Sequence, residues 1–75
     1  MARIKKIDNW HLEIKVDGIP KDEEVYADLL KIDELTENDY ELKHRYADEY
    51  LCQLLTNLGY PQGVRAFWRL PKWYA

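Results

Sequence analysis

A small single α+β domain, an N-terminal β-hairpin packed on two or three α-helices, is the fold class that three features of this chain predict. These are its length of 75 residues, one clean two-residue alternation near the start, and a long stretch of helical periodicity after it. A chain of this size has room for one core, which only just offsets the conformational entropy lost on folding. With 47% hydrophobic and 33% charged residues it is unlike a disordered segment, so a folded domain is expected over residues 1–75.

In WHLEIKV, residues 10–16, Trp10, Leu12, Ile14 and Val16 share one face while His11, Glu13 and Lys15 share the other, the pattern of a half-buried strand. ARIKKI supplies a partner strand, and Asp8 and Asn9 tolerate the backbone of a tight turn, which gives a hairpin over 1–17. A two-residue turn sets Lys5 against Leu12. A three-residue loop over 8–10 sets Ile4 against Ile14 and Lys5 against Glu13, and it is preferred because it pairs like with like in polarity and opposites in charge.

DGIP, residues 17–20, ends the strand, and a helix is predicted over 21–33, with acids in its first turn and Val25, Leu29 and Ile32 on one face. Thr36 reads as the N-cap of a long helix over 36–58, with Asp39 in the place of the usual Glu of a capping box and Gly59 and Pro61 as its stop. At about 100° per residue this helix gathers Tyr40, Ala47, Leu51, Leu54 and Leu58 into one stripe, flanked by His44 and Leu55, which is read as the core face. A second, weaker row of Leu42, Tyr46, Tyr50 and Gln53 is too apolar for a solvated face and calls for cover by the last helix or by a partner. Residues 61–70 form a short C-terminal helix and lead into an aromatic tail; Pro61 takes the first helical position, and Val64, Phe67 and Trp68 fall in a packing sector away from Arg65 and Arg69.

The inventory of reactive groups argues against an enzyme. The chain has no serine, and its one thiol, Cys52, sits mid-helix without an activating residue at a matching spacing. His44 and Asp48 stand one helical turn apart, with no nucleophile to serve. One cysteine and two scattered histidines have no zinc spacing, and DELTENDYE, residues 33–41, lacks the glycine and ligand order of a calcium loop. Glycine-rich phosphate cradles are absent from the sequence, so neither cofactor nor metal is expected. A lone cysteine, the lack of a signal-peptide pattern and the lack of a long apolar run point to a soluble cytoplasmic protein with no membrane partner.

What remains is binding. Ten aromatics, six of them Tyr and three Trp, exceed what so small a core requires and are of the types that interfaces favour. Leu42, Tyr46, Tyr50, Trp73 and Tyr74 are the candidate protein contacts, with a foreign protein or a second copy of the chain as the partner. The charge is divided unevenly: four basic and three acidic side chains in residues 1–20, four and eleven in 21–50, three and none in 51–75. Lys5, Lys6, Arg65, Arg69 and Lys72 therefore define an alternative, a basic face for nucleic acid on which the tail aromatics stack, against which stands the net charge of -3. Size, acidity and aromatic content together are similar to those of many small bacterial and phage accessory proteins, which implies a stoichiometric inhibitor or adaptor.

Overall fold

The computed structural model of the chain describes residues 2–71. Five elements follow one another: β1 (Ala2–Asp8), β2 (His11–Val16), α1 (Asp22–Thr36), α2 (Tyr40–Asn57) and α3 (Pro61–Arg69). An antiparallel hairpin is packed by one face against α1 and α2, and among the described elements α3 packs on α2 alone. This is the α+β domain the sequence predicts.

Cross-strand pairing follows the preferred register in the body of the hairpin, with Ile4 opposite Ile14 and Lys5 opposite Glu13. The loop differs from expectation. Asp8 pairs with His11, so the turn holds only Asn9 and Trp10, and Ile7 is the extra residue of a bulge between Lys6 and Asp8. The alternative register, with Lys5 opposite Leu12, is not formed. Spending Trp10 on the turn breaks its phase with Leu12, and its ring is 67% exposed instead of lying on the inner face. The Asp8 carboxylate organises the turn by accepting the Trp10 N–H at 2.8 Å and pairing with His11 Nδ1 at 2.9 Å, contacts that hold its carboxyl below the usual range.

α1 runs one turn beyond its expected end. Thr36 is its last residue and not the cap of the next helix, because its hydroxyl turns back to donate to the Ile32 carbonyl at 2.7 Å. Asp39 is the N-cap of α2, accepting the Leu42 N–H at 3.0 Å. Between the helices lies a tight turn closed by the Asp39 N–H on the Thr36 carbonyl at 2.9 Å. Its first central residue, Glu37, has φ 44° and ψ -111°, the dihedral pair that a type II′ turn demands and that L-residues other than glycine resist. Lys43 holds this corner by donating to the Asp33 carboxylate and to the Asp33 and Glu37 carbonyls, all of which a glycine at 37 leaves in place. Glu37→Gly is therefore expected to stabilise the domain by about 1 kcal/mol and raise its Tm by roughly 4–8 °C, as read by thermal denaturation. An unchanged or lower Tm would mean that the turn carries no strain. At the far end of α2, Gly59 at φ 99° lets the Tyr60 N–H reach the Leu55 carbonyl at 3.0 Å, which stops the helix as expected.

The core sits between the hairpin and α1 and α2. It is built from Ile4, Leu12, Ile14 and Val16 of the sheet, Ile32 of α1, and Tyr46 and Tyr50 of α2. Here the structure differs from the sequence reading of α2: the row expected to be covered by the last helix or a partner is covered by the hairpin and α1, with Tyr50 at 0% and Tyr46 at 6% exposure, while Tyr40, Leu51 and Leu58 of the stripe expected as core are 66%, 41% and 45% exposed. The reason is chemical. The hairpin needs amphipathic groups above it, because β2 presents backbone polar atoms at its edge, and a row ending in Tyr50, Gln53 and Asn57 meets both its apolar face and that edge.

Candidate protein-interaction surface

Gln53 and Asn57 treat the outer edge of β2 as a neighbouring strand would. The Val16 N–H donates to Gln53 Oε1 at 2.7 Å, Gln53 Nε2 donates to the Ile14 carbonyl at 2.7 Å, and Asn57 Nδ2 donates to the carbonyls of Val16 and Gly18 at 2.8 and 2.7 Å. Beside them, the Tyr50 hydroxyl donates to Asp28 Oδ2 at 2.5 Å and ties α2 to α1. Burial raises the Tyr50 phenol well above its ordinary pKa, and its bond to Asp28 and the negative charges of Asp28 and Glu24 add to the shift.

These roles settle where the expected contact residues stand in this fold. Tyr46 and Tyr50 are core, and Leu42 is half-buried against it, so all three face into the domain and not toward a partner. Trp73, Tyr74 and Lys72 lie outside the described residues. Arg65 and Arg69 are exposed on α3, as Lys5 and Lys6 are on β1. Among the described residues β1 packs on β2 and α1, and α3 on α2 only, so these cations are carried by elements that do not touch.

What the fold does leave open is the stripe read from the sequence as core. Leu51 and Leu55 of α2 and Leu58 at its C-cap recur at one-turn spacing, each between 41% and 45% exposed, with Tyr40 at the start of the helix. Tyr26 and Leu30, one turn apart on α1, are 69% and 51% exposed. On the α3 side, Leu51, Leu55, Cys52, Val64 and Phe67 line an open apolar crevice of about 230 Å³. Phe67 and Trp68 meet edge-on at 5.5 Å, and Val64, Phe67 and Trp68 face α2, apart from the arginines, as their projection predicts. Trp68 and Glu49 also border a second cleft, with Val16, Gln53 and Asn57. Burial raises the Glu49 carboxyl above its usual pKa, against the opposing charge of Arg45.

Negative charge is concentrated on α1, which packs on α2. α1 carries six carboxylates, Asp22, Glu23, Glu24, Asp28, Asp33 and Glu34, against the single cation Lys31. Among the described residues there is no cluster of three His, Cys, Asp or Glu side chains placed to hold a metal ion, and no helix is long and apolar enough to cross a membrane. No family model, curated protein or solved structure matches the chain.

Proposed function

We propose that the chain is a non-enzymatic, cytoplasmic protein-interaction module, an inhibitor or adaptor that engages its partner through the outer apolar row of α2. The observation that carries this reading is that α2 has two apolar rows and the domain buries only one. Leu51, Leu55 and Leu58, with Tyr40, remain at the surface of a protein with little core to spare, and an exposed row at one-turn spacing is the pattern by which a helix receives an apolar partner surface. The partner's complementary chemistry is apolar anchors accompanied by Lys or Arg, because α1, which packs on α2, carries six carboxylates against one cation. A second copy fits less well: an isologous contact through this layer brings the six acids of one α1 toward the six of the other.

The test is affinity capture of the tagged chain, with and without nuclease, from lysate of the cells that express it, beside a Leu51→Lys, Leu58→Lys variant. Both leucines are half-exposed, so the variant is expected to keep its melting transition within about 1 kcal/mol. A discrete protein retained after nuclease and lost in the variant is the expected result. Nucleic acid in the eluate, with protein lost on nuclease treatment, would overturn the reading.

A further inference from the structure

The two edges of the hairpin are treated differently. Ile14 and Val16 turn their backbone groups away from β1 and onto the Gln53 and Asn57 side chains, so it is Glu13 and Lys15 that pair by hydrogen bonds with Lys5 and Arg3. By the same alternation, Ala2, Ile4 and Lys6 direct their N–H and C=O groups to the free side of β1. Among the described residues no backbone or side-chain group bonds to that side. The domain thus closes one edge with side-chain amides and leaves the other as a strand template.

We propose that the open edge of β1 receives an extended, acidic segment of a partner protein as a third strand. Main-chain groups of Ala2, Ile4 and Lys6 supply the hydrogen bonds of strand addition, and Arg3, Lys5 and Lys6, exposed along the same strand, supply the charge preference. A second copy is disfavoured by the same residues in the central registers of the strand. In a two-fold antiparallel β1–β1 pair, centring on Arg3 or on Lys5 sets that residue against itself, and centring on Ile4 sets Arg3 against Lys5 twice. Lysine on an edge ordinarily discourages pairing; on this strand it rejects the basic copy and attracts a carboxylate-bearing one. A third strand also extends a sheet that is at its minimum of two. The inference concerns a different surface from the α2 row and does not rest on it.

The probe is a blocked ten-residue peptide alternating glutamate with valine, and its control is the twin in which lysine replaces glutamate. Backbone amide exchange by NMR is expected to slow at least tenfold at Ile4 and Lys6 at saturating, millimolar glutamate peptide, and to be unmoved by the twin. Lys6→Pro removes one edge N–H that the β1–β2 ladder does not use, and it is expected to weaken peptide binding at least tenfold. Arg3→Glu, which gains Lys15 as its cross-strand neighbour, is expected to shift the preference toward the lysine twin. The Leu51→Lys, Leu58→Lys variant should bind the glutamate peptide like the parent, which separates this inference from the helix-face reading. No slowing at millimolar peptide, equal slowing by both peptides, or slowing that grows with protein concentration alone would each overturn it.

Discussion

Replacing Tyr50 with alanine is expected to unfold the domain. The side chain is fully buried between the hairpin and the helices, and truncating an aromatic of that kind costs about 3–5 kcal/mol, comparable with the whole stability of a chain this small. Tyr50→Phe separates packing from polarity: it keeps the ring but leaves the Asp28 carboxylate without its donor, at about 1–3 kcal/mol. Adding Asp28→Leu to Tyr50→Phe should recover much of that loss, since removing both partners leaves no orphan. A pH arm follows from the raised phenol. The native state holds the Tyr50 proton where the unfolded chain releases it, so stability present below the ordinary tyrosine pKa of about 10 is lost as pH rises beyond it. Chemical denaturation followed by circular dichroism reads all of these. A Tyr50→Ala variant with an unaltered transition would sink the assignment of this row to the core.

The hairpin, its central register, three helices and the C-terminal stop of α2 were legible because each rests on local chemistry: alternation at 10–16, acids opening α1, Gly59 and Pro61 closing α2. The orientation of α2 was not. Periodicity reports that a helix has an apolar row, but not which of two rows a sheet will cover, and Leu-rich Leu51, Leu54 and Leu58 outweighed Tyr46 and Tyr50 on hydrophobicity alone. The deciding signal lay in Gln53 and Asn57, polar residues in line with the two tyrosines, whose use depends on a strand edge more than thirty residues earlier. The two rows of α2 therefore differ from expectation in cover: of the stripe expected as core, Tyr40, Leu51 and Leu58 are exposed while Ala47 and Leu54 are half-buried. Trp10 differs for a related reason: the alternation over 10–16 sets it on the inner face, yet the loop over 8–10 already contains it, and it stands in the turn with the pairing of Ile4 and Ile14 as expected.

That difference in cover makes Gln53 the residue on which the arrangement of α2 turns, and Gln53→Ala is expected to lower stability by about 2 kcal/mol, a fall in Tm of roughly 8–16 °C. The loss exceeds that of an ordinary surface glutamine because two part-buried backbone groups, the Val16 N–H and the Ile14 carbonyl, lose their partner together. Gln53→Glu tests the donor separately. Its carboxylate still accepts from Val16 but offers no hydrogen to Ile14 and sets a charge against that carbonyl; protonation restores a donor, so the variant should regain stability relative to the parent as pH falls below about 4. The alanine variant also exposes the β2 edge that the native side chain occupies, and uncovered edges recruit other chains. Sedimentation velocity should then find concentration-dependent self-association in Gln53→Ala that the parent and Gln53→Glu at low pH do not share. If Gln53→Ala melts with the parent and stays equally dispersed, the amide is not what seats α2 on the hairpin. The exposure of Leu51, Leu55 and Leu58 would then have to be explained by the packing of Tyr46 and Tyr50 alone.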